Sequence, residues 1–277
     1  MATAIVVFFL VFLFWNYQVN NWEVIIAGDS PKLADGWGEP VRVGINTEDW
    51  EDGAYISSDG SVLYFSYYPG DIMKDLQTRK FKDDMDVYYS SKPFEKKKLH
   101  PISEDIWSEG GVMFSGSDIY YMSNRNSPDF DNLYKNGHQL EYSDPKKAEQ
   151  DPHYCAKKDE MYFWVDGIIY VHKNSSTTAL PKPINDGSQN IQPFLMPDCE
   201  TMYFTSDRKQ RWVNAIYMSN RVGENGWSEP ELVAESKVGV GEPTLTDNGK
   251  TMFFVVAFKS PRRDLNADIY YTERVEE

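Results

Sequence analysis

Cysteine is almost missing from this chain: Cys155 and Cys199 are the only two among 277 residues. Two are too few for a disulfide framework, and without a CxxC pair neither a zinc knuckle nor a dithiol redox motif is present. Positive charge is also scarce. Lys and Arg number 28 against 43 Asp and Glu, a net charge of −15, which repels a phosphate backbone and excludes nucleic acid as the partner. The acidity leaves cationic partners or a divalent ion open, and it serves solubility in any case. No GxSxG, Walker loop, GxGxxG or HExxH occurs, so α/β-hydrolase, nucleotide-hydrolysing and zinc-peptidase chemistry have no support. The aspartates of "KDDMD" (82–86) lack the spacing and the glycine of an EF-hand. No cofactor is expected.

Apolar and aromatic residues are plentiful, at 41% and 15%, enough to pack a core. One apolar run stands apart: "MATAIVVFFLVFLFW" opens the chain, and no Lys or Arg precedes Lys32. Its length suits a signal-peptide core or short anchor rather than a full span of about 20 residues. Residues 1–20 are therefore expected to be a signal or membrane-anchor segment and 21–35 a leader or linker. This implies an extracytoplasmic location, periplasmic or secreted, with the N-terminus as a possible tether. The sequon Asn174-Ser175-Ser176 is permitted by that location.

The rest of the chain repeats itself. "GSVLYFSYY" (60–68), "SDIYYMSNR" (117–125), "DEMYFWVD" (159–166), "CETMYFTSDR" (199–208) and "GKTMFFVVA" (249–257) each carry a paired aromatic. With Tyr64, Tyr120, Tyr162, Tyr203 and Phe253 set in register, Asp59-Gly60 and Asn248-Gly249 fall at the same place, and both are strong hairpin signals. Upstream, Gly53, Glu109, Asp151, Gln192 and Glu242 align, followed by Ala54, Gly110, Pro152, Pro193 and Pro243. A third strand follows each pair, at 85–91, 132–136, 167–173, 215–220 and 268–274. A fourth is clearest at "GWSEPELV" (226–233). Four short strands per unit of roughly 40–56 residues is the signature of a β-propeller. The last unit lacks a fourth strand, and "GWGEPVRV" (36–43) matches the one at 226–233. The predicted fold is all-β: a single five-bladed β-propeller over 36–277, closed by 36–43 completing the last blade. Adjacent strand residues face opposite sides, so each aromatic pair is predicted to pack toward both neighbouring blades. In that register the two cysteines stand at different heights on neighbouring repeats, and two free thiols are expected.

These residues resemble the WD40-like repeat of TolB-type β-propellers, carried by "ISSDGSVLYFS" (56–66), "FTSDR" (204–208) and "DIY" (268–270). The resemblance covers nearly all of the chain after residue 36. It implies an exported scaffold or binding module, or the propeller domain of a larger enzyme. The second unit departs most, lacking the Pro and placing Asp118 where an apolar residue is usual; the third lacks Asp-Gly at its turn.

Propeller ligands bind where the innermost strands converge, and the register puts Glu109, Asp151, Gln192 and Glu242 at one level there. His153 is predicted to share a strand face with Asp151, without a third metal ligand. These five residues form the candidate ligand site. The primary reading is a non-catalytic module binding a protein or glycan at the propeller face, with the acids accepting backbone hydrogen bonds where strands begin. The alternative is a glycoside hydrolase using Glu109, Asp151 and Glu242 as acid and base; "QDPHY" (150–154) resembles the Asp-Pro segment of five-bladed glycosidases. The insertion "GDIMKDLQTRKFK" (70–82) has a helical composition and is read equally as a binding loop on a rigid scaffold or as a tolerated surface excursion.

Overall fold

A computed structural model describes residues 30–78, 83–104, 106–187, 189–259 and 265–275. The apolar leader expected over residues 1–20 lies outside them. Two short strands come first, β1 (Lys32–Leu33) and β2 (Val41–Arg42). Blade 1 follows with β3 (Trp50–Ile56), β4 (Val62–Tyr68), β5 (Asp86–Ser91) and β6 (Lys98–Leu99). Blade 2 contains β7 (Glu109–Ser115), β8 (Asp118–Ser123), β9 (Asn132–Lys135) and β10 (His138–Gln139). Blade 3 contains β11 (Gln150–Cys155), β12 (Glu160–Val165), β13 (Ile168–Lys173) and β14 (Ser176–Ala179). Blade 4 is built from β15 (Asn190–Leu195), β16 (Thr201–Gln210), β17 (Val213–Val222), β18 (Gly226–Trp227) and β19 (Glu231–Glu235). Blade 5 contributes β20 (Val240–Leu245), β21 (Thr251–Phe258) and β22 (Asn266–Glu273). All pairings are antiparallel, and the molecule is the predicted five-bladed propeller.

The hairpin turns explain the repeat. Asp59 Oδ1 accepts hydrogen bonds from Ser57 Oγ (2.7 Å) and the Ser61 amide (3.0 Å), while Gly60 supplies the positive φ of 74°. Asn248 and Gly249 do the same in blade 5. In blade 4 Asp198 caps the turn and Cys199 occupies the glycine position at φ 61°. A short polar side chain that bonds to its own backbone two residues on is what makes these turns tight.

The ring closes as predicted. Val41 pairs with Tyr271 and Arg42 with Tyr270, so β2 becomes the outermost strand of blade 5. Trp37 bridges Arg274, whose guanidinium lies 4.3 Å from the indole centre, just as Arg221 lies 4.7 Å from Trp227 in blade 4. Immediately upstream, Lys32 and Leu33 pair with β19 and add a strand outside blade 4. The N-terminal strap therefore staples the edges of two neighbouring blades.

The aromatic pairs pack in the predicted alternation. Tyr203 joins the cluster between blades 4 and 5, and Phe204 joins the one between blades 3 and 4. Phe254 and Phe253 likewise divide between the clusters on either side of blade 5, and Tyr120 and Tyr121 between those flanking blade 2. Fully burying such a side chain stabilises by about 1.5–3 kcal/mol, and each blade contributes one to both of its interfaces.

The cysteines depart from expectation. Cys155 and Cys199 form a disulfide with Cα atoms 5.9 Å apart. Linear register placed them at different heights, but the chain reverses at each hairpin. Cys155 ends β11 and Cys199 sits in the β15–β16 turn, so both lie at the same end of adjacent blades.

Candidate functional site

Each innermost strand carries a β-bulge at the same level. Gly53, Gly111, Asp151, Gln192 and Glu242 all adopt left-handed φ between 49° and 58°, and each lies within the strand's break in pairing register. A bulge inserts one unpaired residue and re-aims its side chain. Here the five surround the central channel, which narrows to a cavity of about 50 Å³.

Three of the predicted site residues, Asp151, Gln192 and Glu242, belong to this ring; Glu109 does not. The β7–β8 hairpin is two residues tighter, pairing Met113 with Tyr120 where the other blades pair His153 with Tyr162 or Phe194 with Tyr203. Counting back from the aromatic therefore overshoots, and Gly111 takes the ring position. Glu109 is the counterpart of Asn190. It accepts hydrogen bonds from Ser123 Oγ and Arg125 (3.0 Å each), as Asn190 does from Ser206 Oγ (2.9 Å) and Arg208 (3.1 Å). Its carboxylate also caps the Glu104 amide, and burial, against these bonds, pushes it up to about 7.

The ring residues tie blade to blade. Glu242 accepts from the Gly53 amide of blade 1 and from Gln192 Nε2 (2.7 Å). Its own amide donates to Gln192 Oε1 (3.3 Å) and Thr205 Oγ1 (3.0 Å). An N–H turned inward by a bulge thus finds its acceptor on the neighbouring blade. Asp151 Oδ2 accepts from the Trp164 indole at 2.6 Å, and its other oxygen lies against Gly111, where a Cβ would come within 2.6 Å.

His153 does not share a face with Asp151, because the bulge between Gln150 and His153 breaks the alternation. Its Nε2 donates to the Leu195 carbonyl at 3.0 Å and its ring packs edge-on against Phe194. Burial lowers its pKa to about 4, so the imidazole is neutral and serves blade packing.

Sequence reasoning missed Asp52. It sits just before the blade 1 bulge, accepts from the Trp50 indole at 2.6 Å, and lies close enough to Asp151 and Glu242 to influence their charge. No neighbouring repeat has an acid at that position, so periodicity could not single it out. Burial raises Asp52 to about 7, with Asp151 and Glu51 adding repulsion and the indole bond opposing. Asp151 is raised to about 6, again chiefly by burial. Glu242 is raised well above the usual carboxylate range by burial and by the two aspartates. All three are half-buried. Among the described residues no three acids, histidines or cysteines converge to hold a metal ion.

Beside the channel, at the end where the innermost strands begin, blades 1 to 3 form a groove of about 830 Å³. One wall is the helix α1 (Ile72–Thr78), which occupies the described part of the insertion. Asp71 caps it by accepting from the Lys74 amide (3.1 Å). Tyr68 Oη donates to the buried Asp75 carboxylate at 2.7 Å, pinning the helix to blade 1.

No protein-family model matches the chain, and no curated relative matches it. Solved structures do. TolB from Acinetobacter baumannii is similar at 13% identity with a TM-score of 0.50, over 84% of this chain and 56% of that one. A putative TolB from Agrobacterium tumefaciens is 14% identical over 84% of this chain and 97% of its own, with a TM-score of 0.47. A GH43 beta-xylosidase/alpha-arabinofuranosidase from a compost microbial metagenome, in complex with xylotriose, is 10% identical. It has a TM-score of 0.50 over 89% of this chain and 96% of its own. The chain spans little more than half the length of the first of these. At such identities the likeness is one of fold.

Proposed function

We propose that this propeller is a non-catalytic binding module of the TolB-type repeat family, acting outside the cytoplasm and engaging a protein or glycan at the face where the innermost strands begin. The observation that carries this reading is the contrast between the two spaces at that end. Ligand pockets are typically about 300–1,000 Å³. The acid-lined channel, at about 50 Å³, has room for a few waters, whereas the adjoining groove reaches about 830 Å³. The acids support the same reading, since Glu242 is occupied in satisfying a neighbouring blade's backbone and Asp151 is held by an indole. A disulfide at the Cys155–Cys199 position fits an oxidising compartment, and an apolar leader with an N-terminal tether fits it too.

A second reading has one specific observation in its favour. Asp151 and Glu242 line the channel, Asp52 interacts with them electrostatically, and all three carboxyls have raised pKa values, as the general acid of a glycoside hydrolase requires. The test is a screen of glycans and glycoside substrates on the leaderless protein beside its Asp151→Asn and Glu242→Gln variants. The binding module is expected to turn over no substrate and to keep its partner in every variant that folds. Hydrolysis that disappears in both variants would replace it with the enzyme.

A further inference from the structure

The groove between α1 and blades 1 to 3 has a composition that specifies its occupant. Three of its apolar side chains stand in solvent: Ile106 at 72% exposure, Leu76 at 51% and Phe130 at 39%. Large exposed apolar residues scattered singly need no explanation, but three lining one concave surface mark an interaction site. Met85 and Met122 extend that surface inward, and methionine adapts to irregular apolar partners. The rim carries the opposite character. Asp83 and Asp129 are exposed at the groove edge, and no described Lys or Arg forms an ion pair with either. Asp131 lies deeper, accepting from Gln150 at 2.9 Å. An apolar floor with carboxylates along its edge matches an amphipathic helix in a groove, with anchors on one face and cations on the other. A glycan would leave the aspartates without a counter-charge and the aliphatic floor largely uncovered.

We infer that this groove binds a cationic amphipathic peptide segment of a partner protein, its apolar face on Leu76, Ile106 and Phe130 and its Lys or Arg side chains on Asp83 and Asp129. The inference rests on the binding-module reading and specifies its ligand. The molecule's net charge of −15 steers such a segment toward the protein from any direction; the groove decides where it settles.

The test uses the leaderless protein and two labelled synthetic peptides, one with a Lys polar face and a Leu apolar face, the other with Glu replacing Lys. Binding is followed by fluorescence anisotropy at physiological salt. Saturable one-to-one binding of the Lys peptide is expected, with no binding of its Glu counterpart. Ile106→Asp and the pair Asp83→Asn/Asp129→Asn should each weaken it by about tenfold or more. Glu224→Gln/Glu229→Gln, which removes exposed acids from two loops within blade 4, should leave it within about twofold. All of these positions are exposed, and unchanged unfolding midpoints show that each variant folds. Equal weakening by groove and blade 4 variants would reduce the effect to bulk charge and overturn the inference, as would no binding of the Lys peptide. A glycan displaced by Ile106→Asp would overturn the peptide chemistry while leaving a binding module. Hydrolysis abolished by Glu242→Gln would overturn the binding module itself.

Discussion

At the scale of single residues the channel ring depends on one unusual backbone conformation repeated in every blade. An L residue in the left-handed region costs about 1–2 kcal/mol, yet Asp151, Gln192 and Glu242 adopt it. Hydrogen bonds between blades offset the cost where Gln192 and Glu242 meet. Gly111 solves a different problem. Its φ is +54°, and a Cβ there would meet Asp151 Oδ1 at 2.6 Å and Asp151 backbone at 3.1 Å. Gly116 also has a left-handed φ, +61°, but faces open space. Gly116→Ala is therefore expected to cost about 1–2 kcal/mol from the backbone alone. Gly111→Ala should add a further 1–3 kcal/mol or so for the overlap. Denaturant midpoints at a common m-value check this. Equal losses would mean that Asp151 moves aside freely and does not hold the ring.

Among the elements, the N-terminal strap matters most for its length. β2 contributes two strand residues, and Arg42, whose Nε lies 2.5 Å from Asp268, adds an ion pair to backbone bonds such as that from the Val43 amide to the Ile269 carbonyl (3.0 Å). The Asp268 carboxylate is fully buried, and burial raises its pKa against the opposing pull of Arg42. Removing one partner of a buried pair leaves a charge without compensation, at about 3–5 kcal/mol. The Arg42 side chain is a third exposed, so water can partly replace it and the expected loss for Arg42→Ala is nearer 2–3 kcal/mol. The double variant Arg42→Ala/Asp268→Asn should recover much of that loss. A thermal melt compares the three proteins; no recovery in the double variant would show that the strap is held by pairing and packing alone.

Across the whole molecule the enclosed titratable groups set a pH dependence of stability. The carboxyls of Asp52 and Asp151 have folded pKa values of about 7 and 6, above the ordinary 3.8. Between those limits the folded state holds more protons than the unfolded chain, so their contribution is full below about pH 3.8. It is lost as pH rises through about 6 to 7. His153 acts in the opposite sense. Its pKa is lowered from 6.5 to about 4, so its contribution is present above about 6.5 and is lost as pH falls through 4. The two trends partly cancel, and the carboxyl effect is read as a difference. Asp52→Asn, which keeps an acceptor for the Trp50 indole, should gain stability relative to the parent as pH rises from about 4 to 7. Melting temperatures across that range check it, and a difference that does not change with pH would place the Asp52 proton outside the folding equilibrium.

Most of the architecture was legible from residue order because a propeller is built of local hairpins with a period. Asp59-Gly60 and Asn248-Gly249 specify turns, the aromatic pairs specify both faces of a strand, and "GWGEPVRV" repeats the strand it imitates across the ring. Each of these signals lies within a few neighbouring residues, which is the range over which backbone preferences and alternation act. The central site was legible only in part. Asp151, Gln192 and Glu242 surfaced because they share a repeat position, while Glu109 was displaced by a hairpin shortened by two residues. Asp52, the Cys155–Cys199 bond and the groove over α1 have no periodic signature. They exist because separate blades, each following its own local rules, are brought edge to edge around one axis, and that adjacency belongs to no single stretch of chain.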